Sequence, residues 1–154
     1  MKIRVICVGQ NKDASTSEII ADFERKIRPL AQLEVIFVKE EKGSLPVHKV
    51  TLLEAGRIKT QLLKGGEVIL LDVKGTSLST EQGFDIFRRI KNFGSGKITF
   101  VVGGAYGLDV SLRLLATGVW KLSDFTLSHQ IARVVLLEQI YRLLTLVHGI
   151  PYHK

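Results

Sequence analysis

The sequence has a single cysteine, Cys7, among its 154 residues. One cysteine excludes a disulfide framework and any zinc or iron–sulfur site built from cysteines. The four histidines lack the spacing of a metal site, so we expect no metal. No apolar run approaches the roughly 18 residues that a membrane-spanning helix needs, so we expect no membrane partner. The N-terminal apolar run is short and alternates with charged residues as a strand does, which argues against a signal peptide and favours a cytoplasmic protein.

The overall composition is that of one globular domain. Hydrophobic residues make up 45% of the chain and charged residues 24%, which excludes a disordered, collagenous or fibrous protein. Neither a linker nor an internal repeat divides the chain, so we expect a single domain over residues 1–154. The net charge of +7 favours a polyanionic partner such as nucleic acid. The basic residues are spread along the chain, so this indication is weak.

Segments typical of strands and of helices alternate five times. Strands are predicted at residues 2–8, 33–38, 67–72, 97–102 and 119–122. Helices are predicted behind two capping boxes, Ser15 with Glu18 and Ser79 with Gln82, and at residues 47–63, 110–116 and 129–147. This alternation predicts an α/β fold of three layers, with a mostly parallel sheet between two layers of helices.

The last predicted helix, residues 129–147, is apolar on every side. Such a helix must be covered on every side, which one sheet does not achieve in a small domain. We therefore expect a homodimer with this helix in the interface. The alternative is a central helix that is buried within one subunit.

Three predicted strand ends are candidates for a ligand site. Ligands of open α/β sheets bind at the carboxyl ends of the strands. Those ends are Leu71 with Asp72, the glycine-rich stretch 103–107, and residues 122–127. Glycines there allow the backbone to approach a ligand closely. The alternative for residues 103–107 is a turn that only reverses the chain.

The common nucleotide motifs are absent. No G-x-G-x-x-G follows the first strand, and the stretch 94–97 (GSGK) has Lys91 where a phosphate loop needs its first glycine. It also precedes a strand rather than a helix. These absences argue against a kinase, a GTPase or an ordinary dehydrogenase.

The chain resembles a known family over essentially its whole length, and four stretches carry the resemblance most clearly. They are residues 98–108 (ITFVVGGAYGL), residues 122–130 (LSDFTLSHQ) with Arg133, residues 138–142 (EQIYR) and the ending 151–154 (PYHK). The chain resembles the bacterial large-subunit ribosomal RNA methyltransferase H family, which belongs to the SPOUT class. Two positions depart from the usual pattern of that family: Thr76 follows Gly75 where Lys is frequent, and Ser128 precedes His129 where Pro is frequent.

The resemblance implies a C-terminal trefoil knot, which periodicity does not predict because knots are very rare. It also implies a homodimer and S-adenosylmethionine as methyl donor. The implied reaction is methylation of N3 of a pseudouridine in large-subunit (23S) ribosomal RNA. Because the charge is diffuse, we expect the substrate to be RNA within the assembled ribosome.

The resemblance also implies two sets of site residues. The cofactor set is Leu71, Gly103, Gly104, Gly107, Leu122, Ser123, Asp124, Phe125, Thr126 and Leu127. The catalytic and substrate-side set is His129, Arg133, Arg142, Tyr152 and His153.

A mechanism follows from the chemistry of the substrate set. Because the methyl donor is already reactive, the enzyme accelerates the reaction mainly by positioning the donor and the base. A base must take the proton from N3, and His153 is the first candidate because an imidazole titrates near neutral pH. Arg133 or Arg142 would stabilise the imide anion. The alternative for Arg142 is an ion pair with Glu138, one helical turn earlier.

Two other functions remain open at this point. A non-catalytic RNA-binding protein, such as a ribosome assembly factor, would bind RNA without the cofactor. A small-molecule-binding α/β protein would show no salt-dependent affinity for RNA.

Overall fold

Five parallel strands form one sheet at the centre of the computed structural model, which describes residues 1–11, 13–41 and 45–152. The strands are β1 (Lys2–Val8), β2 (Gln32–Val38), β3 (Glu67–Ser77), β4 (Lys97–Val102) and β5 (Gly118–Lys121). Their order across the sheet is β2-β1-β4-β3-β5, and every neighbouring pair is parallel. The predicted parallel α/β fold is confirmed.

Helices cover both faces of this sheet. They are α1 (Ala14–Ile27), α2 (Val47–Lys59), α3 (Thr80–Asn92), the short 3₁₀ helix η1 (Val110–Leu115) and α4 (His129–Val147). One core joins α1, α3 and α4 to the sheet, and a second core joins α2 and η1 to its other face. The alternation in β1 explains the division, because Ile3 and Val5 enter the first core while Ile6 and Val8 enter the second. The predicted three layers are therefore present.

The start of α1 differs from the prediction. The helix is capped by Asp13, whose Oδ2 accepts a hydrogen bond of 2.7 Å from the Thr16 N–H. Ser15 therefore lies inside the first turn, and the predicted box of Ser15 with Glu18 is wrong. A carboxylate serves well here because it also complements the positive end of the helix dipole. The box of Ser79 with Gln82 at the start of α3 is confirmed.

Two other boundaries also differ. Helix α2 ends at Lys59 rather than at residue 63, and the Thr60 hydroxyl donates to the carbonyl of Arg57 in its last turn. Strand β3 continues through the predicted loop at 74–78 as far as Ser77, because its distal half pairs with β5 after a shift of register between Leu71 and Thr76. The loop prediction was wrong because local sequence does not show this pairing with a distant strand.

Helix α4 has the predicted bounds, and its surroundings favour the alternative of a central helix. It packs against α1, α3 and β4 within the same chain. The fully covered side chains are Arg133, Leu136, Leu137, Ile140, Leu143, Leu144 and Thr145. Ile131, however, is 44% exposed, and Val134, Val135 and Tyr141 are only half-buried. The homodimer therefore stays a prediction, and so does the trefoil knot.

Candidate active site

A cleft of about 420 Å³ lies at the carboxyl ends of β3, β4 and β5. Its volume falls within the roughly 300–1,000 Å³ that is typical of small-molecule sites. It is lined by residues 71–73 of β3, where the half of that strand paired with β4 ends, and by residues 102–105 and 107–108 at the end of β4. Residues 121–123 and 125–129 at the end of β5, together with Ala132, complete the lining. The three strand ends singled out in the sequence therefore meet at one site.

The glycine-rich loop after β4 forms one wall of the cleft. The Gly107 N–H donates to the carbonyl of Gly104 over 3.1 Å, and Gly107 has a φ of +78°, which favours glycine. A Cβ atom at Gly103 would lie 3.0 Å from the carbonyl carbon of Gly107, and one at Gly104 would lie 3.0 Å from Cγ1 of Val8. The loop thus reverses the chain and also brings bare backbone to the cleft.

The loop after β5 forms the opposite wall. Lys121 pairs with Asp124 at 2.5 Å, and this contact lowers the pKa of the Asp124 carboxyl. The Phe125 N–H donates to Oγ of Ser123 over 3.0 Å. These local bonds fix the path of the loop before it enters α4.

An acidic side chain, Asp72, follows the half of β3 that pairs with β4. Oδ2 of Asp72 lies 2.9 Å from Nη2 of Arg113, which comes from η1. Oδ1 of Asp72 accepts the N–H of Lys74 over 2.8 Å. Asp72 thus lines the cleft with its charge already balanced, and it ties β3 to η1.

His129, the first residue of α4, brings an imidazole to the cleft. The Ser128 hydroxyl caps the helix by accepting the N–H of Ile131 over 3.3 Å. Ser128 therefore supplies a helix cap at the position where the family pattern often has Pro. Ala132, almost one turn further, lines the same wall.

Nine of the ten predicted cofactor residues line the cleft. Asp124 is the exception, because its side chain is exposed and is paired with Lys121. The lining residues missing from that set are Asp72, Val73, Val102, Ala105, Leu108, Lys121, Ser128 and Ala132. Most are direct neighbours of predicted residues, and Ala132 was detectable from its spacing of three from His129.

Arg133 does not line the cleft. Its side chain is 1% exposed and donates to the carbonyls of Val8 and Gly9 over 2.5 and 2.7 Å, and to Oδ1 of Asn11 over 2.8 Å. These bonds tie the second turn of α4 to the end of β1. Cys7 is buried beside it, and burial raises the pKa of that thiol to about 11, so Cys7 is a protonated core residue.

Arg142 of α4 and Tyr152, which follows that helix, form a separate cluster. Arg142 Nη2 lies 2.7 Å from Oε1 of Glu138, so the predicted ion pair is present. The Tyr152 hydroxyl donates to the same oxygen over 3.4 Å, and the Arg142 guanidinium lies 5.0 Å from the centre of the Tyr152 ring. Neither residue lines the cleft. His153, the first candidate base, lies outside the described residues.

Within the described ranges, no group of three or more His, Cys, Asp and Glu side chains is arranged to hold a metal ion. No helix there is long and apolar enough to cross a bilayer.

A parallel sheet whose strand ends carry one cleft, walled by a glycine-rich loop, defines a ligand-binding α/β protein. The family model described as "Predicted SPOUT methyltransferase" matches residues 1–153. The chain belongs to this SPOUT methyltransferase family, so it is a methyltransferase rather than a binding protein without catalysis.

Curated relatives named "Ribosomal RNA large subunit methyltransferase H" are similar over their whole length. The protein of Desulfovibrio desulfuricans is 39% identical over 98% of this chain and 96% of its own. Those of Carboxydothermus hydrogenoformans and Acetivibrio thermocellus are 38% and 35% identical over all of both chains. A solved structure, a probable methyltransferase from Bordetella pertussis, covers 93% of this chain and 94% of its own with a TM-score of 0.61. At 13% identity, that likeness shows the shared fold alone.

Proposed function

We propose that this protein transfers a methyl group from S-adenosylmethionine to N3 of a pseudouridine in large-subunit (23S) ribosomal RNA, within the assembled ribosome. The observation that carries the proposal is the single cleft formed by the ends of β3, β4 and β5 in a chain of this family. The names of the full-length relatives support ribosomal RNA as the substrate. The net charge of +7 is compatible with it.

The cleft suits the proposed cofactor. Leu71, Leu122 and Leu127 offer apolar surface for a planar ring, while the loops offer backbone groups for polar atoms. Gly103 and Gly104 let backbone approach where a side chain would collide with the protein itself. When bound, S-adenosylmethionine supplies an electrophilic methyl group. The protein then has to hold the base in line with it and keep water away.

The proton on N3 must leave as the new N–C bond forms. His153 is the first candidate base, and its imidazole has the right intrinsic range. Among the described candidates, His129 is the imidazole that lines the cleft. Arg142 would stabilise negative charge on the ring as the proton departs.

His129 and Arg142 are too far apart to act together within one chain. Arg142 follows His129 by 13 positions in α4, a separation of about 20 Å at 1.5 Å per residue. An antiparallel homodimer along α4 would bring Arg142 and Tyr152 of one subunit to the cleft of the other. The exposed Ile131 and the half-buried Val134 and Val135 offer apolar surface for such an interface. The geometry therefore favours a site shared between two subunits.

Calorimetric titration with S-adenosylmethionine tests the cofactor site. Thr126 is exposed and lines the cleft, so Thr126→Trp would fill the cleft without disturbing the core. We expect saturable binding by the wild type and its loss in this variant. Leu52→Trp is the matched control, because Leu52 is exposed on α2 and does not line the cleft.

Methyl transfer is then measured on assembled ribosomes, with the modified nucleotide identified by mass spectrometry. Incorporation at N3 of a pseudouridine is the expected result. Binding to ribosomes without cofactor binding or transfer would contradict the proposal and favour an assembly factor.

A further inference from the structure

Two exposed aromatic side chains, Tyr106 and Phe125, stand at the rim of the cleft. Tyr106 is 60% exposed and Phe125 is 84% exposed. Phe125 lines the cleft, and so do Ala105 and Gly107, the two chain neighbours of Tyr106. The two rings come from different loops, one after β4 and one after β5. We call this pair the aromatic rim.

Hydrogen-bonded turns present both rings. Tyr106 lies at the corner of the turn that the Gly107 N–H closes onto the carbonyl of Gly104. Phe125 lies in the turn that its own N–H closes onto Oγ of Ser123. Because the backbone is fixed beforehand, holding a ligand against these rings costs little ordering of the loops.

Neither ring of the aromatic rim contacts another aromatic ring or a cationic group among the described residues, whereas most other aromatic rings do. The rings with such partners are Phe23, Phe37, Phe84, Phe87, Phe100, Trp120, Tyr141 and Tyr152. Exposure of a large apolar ring to water is energetically unfavourable. Here two such rings border the cleft where the methyl donor is proposed to bind. Their free faces are available to a flat ligand.

We propose that the aromatic rim stacks on the target base of the RNA as that base enters the cleft. This inference rests on the proposed function and adds the residues that receive the substrate. A base inside structured RNA must leave its stack before an enzyme reaches its ring nitrogen. Aromatic side chains restore the lost stacking, and they accept any base because every base has a π-face. The rim residues are uncharged, so they add affinity without adding salt dependence.

The test compares ring removal at the rim with ring removal elsewhere. Tyr106→Ala and Phe125→Ala each remove one ring, whereas Tyr106→Phe keeps the ring and removes only the hydroxyl. Phe93→Ala is the matched control, since Phe93 is 86% exposed at the end of α3 and lies outside the cleft. The measured quantities are the KM for assembled ribosomes, kcat, and the Kd for S-adenosylmethionine.

We expect Tyr106→Ala and Phe125→Ala each to raise the KM for ribosomes about tenfold or more, the effect of losing one base–aromatic stack. The Kd for S-adenosylmethionine should not change in Tyr106→Ala, because Tyr106 does not line the cleft. Tyr106→Phe and Phe93→Ala should behave as the wild type does.

Three results would overturn the inference. Rim variants whose KM matches that of Phe93→Ala would show that no base stacks there. A parallel loss of S-adenosylmethionine affinity would assign the rings to the cofactor. A rim variant that is monomeric where the wild type is dimeric would assign them to a subunit interface. A wild-type protein that methylates no ribosomal RNA would contradict the proposed function itself. If only the role of the aromatic rim is wrong, the wild type still methylates its substrate.

Discussion

At the scale of single residues, a buried carboxylate supports the back of the glycine-rich loop. Glu54 of α2 is buried, and its Oε1 accepts the N–H of Glu41 over 3.1 Å. Its Oε2 would lie 3.6 Å from a Cβ atom at Gly104. Burial raises the pKa of Glu54 above its ordinary value of 4.5, and the nearby charge of Glu40 adds to the rise. The carboxyl is therefore less stable as an anion in the folded protein than in the unfolded chain.

This shift predicts the pH dependence of the Glu54→Gln variant. The folded protein keeps the Glu54 proton to higher pH than the unfolded chain does, so this residue's contribution to the free energy of unfolding falls as pH rises above about 4.5. Glutamine removes that dependence and keeps an acceptor for Glu41. We expect Glu54→Gln to gain stability relative to the wild type as pH rises from 4 to 7, measured by urea unfolding.

Glu34→Gln is the control with the opposite sign. Lys2 first and then Arg4 lower the pKa of Glu34, so its contribution is present above the ordinary pKa and is lost as pH falls. This variant should lose stability relative to the wild type as pH rises. Identical pH dependence in the two variants would contradict both assignments.

The site residues were predictable to different degrees. Those of the cleft follow from a rule of topology, since the carboxyl ends of parallel strands share one edge, and Leu71, Gly103 and Leu122 all lie there. The hydrogen-bond partners of Arg133 could not be predicted from the sequence, because two of them are backbone carbonyls at the end of β1, more than 120 positions away in the chain. The sequence shows that a residue is charged, but only the folded structure shows which groups it binds.

At the scale of elements, the distal half of β3 depends on one glycine. A Cβ atom at Gly75 would lie 2.5 Å from the carbonyl carbon of Trp120 in β5. The close approach lets Thr76 pair with Trp120 beyond the shift of register. Strand β5 leads directly into the loop at 121–129, so this contact also positions one wall of the cleft.

Gly75→Ala should therefore weaken both the fold and the cleft. We expect a loss of about 1–3 kcal/mol in the free energy of unfolding, as for an overpacked core, together with weaker binding of S-adenosylmethionine. Gly56→Ala is the matched control, because nothing lies within 4 Å of a Cβ atom there and Gly56 is inside α2. It should stabilise the protein by up to about 1 kcal/mol. A Gly75→Ala protein as stable as the wild type would contradict the role of this contact.

Elements whose limits are local were predictable, and those fixed by tertiary pairing were not. Helix α4 has the predicted bounds because Ser128 caps its first turn and an unbroken helical run of apolar residues follows. The extension of β3 to Ser77 needs β5 beside it, and no local pattern signals that partner. The same reason explains why the sequence did not show that α1 and α3 pack against α4 within the same chain.

At the scale of the whole molecule, the two clusters of α4 set the organisation of the site. The cleft holds His129, while Arg142 and Tyr152 lie together near the other end of the same helix. If the subunits pair along α4 in opposite directions, each cleft faces the Arg142 cluster of its partner. One complete site then needs His129 from one chain and Arg142 from the other.

Heterodimers of defined composition test this sharing. A His129→Ala chain and an Arg142→Ala chain, each inactive as a homodimer, are co-expressed with different affinity tags and purified as the mixed dimer. In a shared site, one of the two clefts regains both residues, so methyl transfer should reach about half of the wild-type rate. The control pairs a wild-type chain with a chain that carries both substitutions. If the site is shared, this control is inactive, because each cleft lacks one residue. If each site lies within a single chain, the control is half-active and the first heterodimer is inactive. The two architectures thus predict opposite results from the same pair of purifications.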